Sequence, residues 1–221
     1  SVTFYDAGHV LGSATPLIEM RENGAVTRLA YAVDLGRKHM PILRDPETPP
    51  DVDYLIVEST YGGRSHASME EAAEVLARTV RTTVERKGKI IVPSFALERT
   101  QEVVYFLSML IRQNRIPESP IYVDSPLAIN ATEIFKKHPE CFDEEVYGHI
   151  LKNHDPFGLN QLKYVRSAED SKKLNDLREP CIIIAASGMC EAGRILHHLA
   201  NNISNPLNTI LIVGYQAEHT L

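Results

Sequence analysis

Asp6-Ala7-Gly8-His9-Val10-Leu11-Gly12-Ser13-Ala14 ends a strand-like run, residues 2–5, in a glycine-flanked turn that carries a histidine. The pattern recurs. Val33-Asp34-Leu35-Gly36 closes the run 27–33 with an aspartate, and Val57-Glu58-Ser59-Thr60-Tyr61-Gly62 closes the run 54–57 with a glutamate. A hydrolytic metal site on a sheet needs this arrangement. Strands fix the backbone, and the turns at their ends let short polar side chains converge on an ion. His9 and Asp34 supply only two ligands, whereas a structural zinc takes four and a catalytic one about three plus water. Either the remaining ligands lie outside these residues or the pair is not a metal site.

Composition sets the bounds. The 221 residues suffice for one large domain or two small ones. With 43% hydrophobic and 24% charged residues, a real core is expected and disorder is not. Trp is absent and aromatics are only 7%, which argues against an aromatic stacking platform for single strands. The net charge of −6 does not by itself predict a nucleic-acid partner, so any such partner needs a local basic groove. Cys141, Cys181 and Cys190 form no C-x-x-C and read as reduced thiols. No run reaches the length of a membrane span and no signal peptide opens the chain, so an acidic, soluble, cytoplasmic protein is expected. The chain starts on a strand-like stretch without Met and stops at Tyr215-Gln216-Ala217-Glu218-His219-Thr220-Leu221, and both ends read as cuts through a larger protein.

The first sixty residues read as strands at 2–5, 16–20, 27–33 and 54–57. Asn23-Gly24 supplies the positive φ of a tight hairpin, and a proline-rich connector precedes the last run. Beyond Tyr61 helices and apolar strands alternate. The capping box Ser68-x-x-Glu71 starts a helix to about residue 87, with Ala72, Val75, Leu76, Thr79, Val80 and Val84 at helical spacing and Gly88 as its stop. Further helices are expected at 97–113, 127–138, 143–152, 168–175 and 193–200. Strands are expected at 89–92, 121–123, 162–165, 181–185 and 209–213. Short strands alternating with helices imply an α/β fold with a mostly parallel sheet flanked by helices. The boundary falls near residue 60.

Each candidate residue has a plainer alternative. His9 is a metal-binding imidazole or a hydrogen-bonded turn histidine, Asp34 a bridging carboxylate or the cap of an Asx turn, and Glu58 a half-buried acid with raised pKa or a capping or salt-bridged one. Ser187-Gly188-Met189 and Gly193-Arg194 lie between a strand and a helix, at the strand ends where parallel sheets bind ligands. Their main-chain amides and Arg194 suit a phosphate, or the segment is a simple turn. His197 and His198 are adjacent, point in different directions and form no chelate. Asp124-Ser125-Pro126 and Ser94-Phe95-Ala96 are two more strand-end turns that either line a groove or cap a helix. Arg64 and Arg99 are candidate phosphate contacts or surface charges. No G-x-S-x-G elbow or Walker loop occurs.

Ala-Gly-His-Val-Leu-Gly-Ser, Val-Asp-Leu-Gly, Glu-Ser-Thr-Tyr-Gly, Val-Pro-Ser-Phe-Ala-Leu-Glu-Arg-Thr-Gln-Glu, Tyr-Val-Asp-Ser-Pro-Leu-Ala and Ala-Ser-Gly-Met follow one another in order. This set resembles the β-CASP branch of the metallo-β-lactamase superfamily, the ribonuclease group that includes the RNA 3′-end processing endonuclease and the RNase J enzymes. The resemblance implies a partial metallo-β-lactamase fold over residues 1–60 and an inserted β-CASP domain over residues 61–221. It implies that His9 and Asp34 are ligands of a two-Zn2+ site, Asp34 bridging, with Asp34 and Glu58 catalytic. It also implies that Ser187 and Gly188 face bound RNA. The family's His-x-His-x-Asp-His string would precede residue 1, later histidine motifs would follow Gly214-Tyr215-Gln216, and Val33 stands where a glycine is usual. The resemblance thus implies a zinc-dependent ribonuclease acting on single-stranded RNA, with a homodimer among the arrangements open to it. The isolated segment would be inactive and would hold zinc poorly. The alternatives are a non-catalytic RNA- or protein-binding module and, more weakly, a hydrolase of small esters or thioesters.

Overall fold

The computed structural model describes residues 1–151, 155 and 157–220, which divide into two compact units. One comprises Ser1–Ser68 and His138–Gly148, the other Met69–Lys137 and His149–Leu221. The first unit thus runs to residue 68, eight residues past the expected boundary, and takes in an excursion at 138–148. The excursion joins the first unit through an antiparallel bridge between Leu43 and Phe142. The amide of Asp143 donates to Ile42 O at 2.9 Å and that of Arg44 to Cys141 O at 3.2 Å.

The first unit holds a four-stranded sheet in the order β1 (Val2–Asp6), β2 (Ala14–Glu22), β3 (Ala25–Ala32), β4 (Tyr54–Val57). The first three are antiparallel, and β4 runs parallel to β3. Asn23 (φ 50°) and Gly24 (φ 82°) form the two-residue turn between β2 and β3, which pins the pair Glu22↔Ala25. Both strands run longer than hydropathy suggests because hairpin pairing carries the polar residues next to the turn. β3 stops at Ala32, so Asp34 lies in the following turn and not on the strand. Leu17, Ala30 and Ala32 are buried on one face of the sheet, while Phe4, Tyr31, Tyr54 and Ile56 are exposed on the other. Both faces are therefore apolar, unlike the usual half-solvated antiparallel sheet.

The second unit holds a five-stranded, all-parallel sheet in the order β7 (Leu162–Tyr164), β6 (Ile121–Val123), β8 (Ile182–Ala185), β5 (Ile90–Pro93), β9 (Thr209–Ile210). Its helices are α1 (Met69–Glu85), α2 (Arg99–Arg112), α3 (Pro126–Lys137), α5 (Ala168–Asp176) and α6 (Arg194–Asn202), and α4 (Glu144–Leu151) spans the division of the chain. The expected end of α4 at Lys152 lies outside the described residues. β5, β6 and β8 are buried throughout, as continuous apolar strands between two helical layers require. Ile91, Ile183 and Ala185 face Leu174 of α5 and Ile195 and Leu199 of α6.

Two helices differ from expectation. α1 buries Ala73, Ala77, Val80 and Thr83, while Ala72 and Val75 are exposed. Small side chains let it pack closely, and that outweighs the larger apolar stripe one position away. The left-handed residue after α1 is Lys87 (φ 62°); Gly88 is required for a different reason, since a Cβ there would lie 1.7 Å from Leu207 O. α2 starts at Arg99 and not at residue 97, because Glu98 takes φ 65°. No helix among the described residues is long and apolar enough to cross a membrane.

Candidate functional site

The three polar turns of the first unit meet. The Gly36 amide donates to Ala7 O at 2.8 Å, which lays residues 34–36 against residues 7–9. The approach is so close that a Cβ on Gly36 would lie 1.8 Å from Gly8 O and 2.7 Å from His9 N. Gly8 itself takes φ +60°. Ser13 Oγ accepts the amides of His9 and Val10, both at 3.1 Å, and rounds the histidine turn. Glu58 Oε1 accepts the Leu35 amide at 3.1 Å, tying the end of β4 to the same turn.

These bonds bear on the plainer alternatives. An Asx turn at Asp34 would use the Gly36 amide, but that amide is given to Ala7 O. Asp34 is exposed and does not hold its own turn. His9 is likewise exposed, and it is its main chain that is hydrogen-bonded. Glu58 is half-buried, and its carboxylate accepts the Leu35 amide. The Thr60 hydroxyl does most to hold its carboxyl below the usual range. Burial opposes this, and the Leu35 amide and the charge of nearby His9 add to it. The raised pKa expected for a buried Glu58 gives way to a lowered one, because donors surround the carboxylate. An exposed imidazole and an exposed carboxylate thus stand on neighbouring backbone, and the Glu58 carboxylate is tied to the same turn through Leu35. The pair suits a divalent cation chemically, yet among the described residues no group of three His, Cys, Asp or Glu side chains is placed to hold one.

In the second unit the strand ends carry a different cluster. Arg194 does not present the free guanidinium that a phosphate contact needs. Its Nη1 donates to Asp124 Oδ1 at 2.6 Å and to Val165 O at 3.1 Å, and its Nη2 to Arg166 O at 2.7 Å. The expected phosphate contact is replaced by an internal ion pair, because Asp124 is completely buried and requires a cation. Asp124 Oδ2 also accepts His198 Nε2 at 2.6 Å and Ser171 Oγ at 2.5 Å. His197 is exposed on the same helix, so the two histidines indeed face apart. No motif in the sequence pairs Asp124 with His198. The one sequence signal is that His198 falls on the buried stripe of α6 with Ile195, Leu199 and Asn202. Ser187 Oγ accepts the amides of Glu191 (3.3 Å) and Ala192 (3.4 Å) and so closes its own turn. Gly188 is buried under Phe95, whose ring a Cβ at 188 would meet at 2.8 Å.

Residues 100–221 match the Beta-Casp domain. The chain belongs to the Beta-Casp family. Among Beta-Casp relatives it is 38% identical over 218 residues to Ribonuclease TTHA0252 of Thermus thermophilus, covering 99% of this chain and 49% of that protein. It is 33% identical over 225 residues to Transcription termination factor FttA of Methanosarcina mazei, covering 100% and 35%. It is also 33% identical over 222 residues to Cleavage and polyadenylation specificity factor subunit 3 of Dictyostelium discoideum, covering 100% and 28%. The chain thus spans about half the length, or less, of these curated Beta-Casp relatives.

The close seating of the two turns gives a direct prediction. Gly36→Ala should cost about 1–3 kcal/mol, the range for forced overpacking, and should separate residues 34–36 from residues 7–9. Gly63→Ala, where a Cβ meets nothing within 4 Å, is the control. Equal denaturation midpoints for the two variants would show that the turns are not in contact.

Proposed function

We propose that the chain is the central part of a zinc-dependent ribonuclease that hydrolyses phosphodiester bonds of single-stranded RNA, with residues 1–60 belonging to a metallo-β-lactamase-fold domain. The carrying observation is the Gly36–Ala7 hydrogen bond at 2.8 Å, which sets the turns of His9 and Asp34 side by side. His9 would offer an imidazole nitrogen to the metal and Asp34 two carboxylate oxygens able to bridge two ions. Glu58 would hold the Asp34 turn and add negative charge that favours a cation. Zinc would supply a nucleophile at neutral pH and neutralise charge on the phosphate oxygens. Two donors are fewer than a zinc centre takes, so the centre needs ligands besides His9 and Asp34. A relative named as a ribonuclease, aligned over 99% of this chain, supports the same reading.

The second reading is a non-catalytic RNA- or protein-binding module, and a relative named as a transcription termination factor is compatible with it. The full-length parent protein decides between them. Labelled single-stranded RNA should be cut, the cutting should stop after chelation, and zinc should restore it. RNA bound but left intact in the presence of zinc means the binding module. Cutting that survives exhaustive chelation overturns the zinc assignment.

A further inference from the structure

Phe95 follows β5 at the carboxyl edge of the parallel sheet, the edge where ligands of such sheets sit. Its side chain is large and apolar, yet the residue is 41% exposed. The sheet order places β8 on one side of β5 and β9 on the other, and the turns after both strands approach the same Cδ2–Cε2 edge of this ring. Each turn presents a glycine to it. A Cβ at Gly188 would lie 2.8 Å and 2.9 Å from the ring carbons Cδ2 and Cε2, and one at Gly214 3.9 Å and 4.0 Å from Cε2 and Cδ2. Gln216 Nε2 donates to Gly188 O at 2.8 Å, to Tyr215 O at 2.9 Å and to Gly214 O at 3.4 Å, binding the two turns together. Behind it, the Phe95 carbonyl accepts the Thr100 hydroxyl at 2.6 Å and the Thr100 amide at 3.2 Å. The ring is therefore seated on backbone, its own main chain is pinned, and part of its surface remains open to solvent.

We propose that Phe95 is a stacking platform for one base of single-stranded RNA. A flat ring held in place loses little freedom on binding, and every base has a π-face, so the contact is tolerant of sequence. The absence of Trp and the low aromatic content argue from composition against an aromatic stacking platform; the local seating of this one ring is what favours one here. The site rests on the ribonuclease reading above and extends it to how the substrate is gripped. Ser187 and Gly188 then act by making room: their turn carries the ring and does not itself take the phosphate.

The test uses the full-length parent protein and two oligonucleotides of equal length and charge, one carrying 2-aminopurine and one with abasic sugars across the central positions. Wild type should quench 2-aminopurine on binding and should prefer the oligonucleotide with bases. Phe95→Ala should abolish the quench and weaken binding of that oligonucleotide about 5- to 150-fold, leaving abasic affinity and the salt slope unchanged. Phe95→Tyr should retain the quench. Phe95→Leu, which keeps apolar volume but loses the π-face, should lose it while denaturing near the wild-type midpoint. Loss of affinity for both oligonucleotides alike, or full quenching by Phe95→Leu, overturns stacking and leaves a packing role or an apolar protein contact. A wild-type parent that binds neither oligonucleotide removes the RNA reading itself, and with it this site.

Discussion

Asp124→Ala should lower folding stability by about 3–5 kcal/mol, the range for removing one member of a buried, hydrogen-bonded ion pair. The carboxylate is fully buried at the end of β6 and takes hydrogen bonds from Arg194, His198 and Ser171. Alanine leaves the Arg194 guanidinium and the buried His198 ring without an anion. The loss reaches beyond one pair, because Arg194 also donates to the carbonyls of Val165 and Arg166 and so joins the ends of β6 and β7 to α6. The denaturation midpoint should fall with the slope unchanged. Asp124→Ala combined with Arg194→Ala should cost less than the two singles added, since the second change removes the orphaned charge. An unmoved midpoint in Asp124→Ala would show that the network carries no stability.

The same network fixes the direction of a pH effect. Burial works against ionisation of Asp124, but the hydrogen bonds of His198, Ser171 and Arg194 outweigh it and hold the carboxyl below the usual range. A carboxyl whose pKa is lower folded than unfolded adds stability fully above the ordinary aspartate range, near about 3.9. That stability is lost as pH falls through the lower, folded value. Asp124→Asn should therefore flatten the acid limb of the stability profile, and an acid limb identical to wild type would contradict the assignment.

What the sequence reveals and what it hides have physical causes. The parallel sheet is readable because β5, β6 and β8 are buried on both faces and appear as unbroken apolar runs. The hairpin is readable because Asn23-Gly24 has few other uses. The residues of the candidate site are readable as a set of strand-end turns. Their contact is not, because the Gly36–Gly8 approach depends on strand order and leaves only a glycine as its mark. Arg194 reads as a phosphate contact or part of a simple turn until the fold pairs it with Asp124. The excursion at 138–148 cannot be read either, since nothing local in Phe142 specifies Leu43 as its partner. Periodicity alone misplaces the buried face of α1, because close packing selected Ala73 and Ala77 over the bulkier Val75.

Asp34→Ala in the full-length parent should reduce RNA cleavage by on the order of a thousandfold or more, as loss of a group stabilising several kcal/mol of transition-state charge would. Stability should scarcely change, and the reason lies in which atoms build the turn. The Leu35 amide goes to Glu58 and the Gly36 amide to Ala7 O, so the turn is held by main-chain donors that alanine retains. The Asp34 carboxylate is exposed and caps neither amide. On the metal reading proposed above, this exposed carboxylate, on a turn seated against that of His9, is available to a ligand. Asp34→Asn tests charge against shape: it keeps the outline of the side chain and one oxygen but cannot bridge two cations as a carboxylate does, so cleavage should fall nearly as far as with alanine. Zinc retained per protein after dialysis should drop in both variants. Glu58→Gln should behave differently, keeping an acceptor for the Leu35 amide and losing less activity. If Asp34→Ala unfolds the protein, or if it folds and cuts RNA as the wild type does, Asp34 is a structural residue and the metal belongs elsewhere.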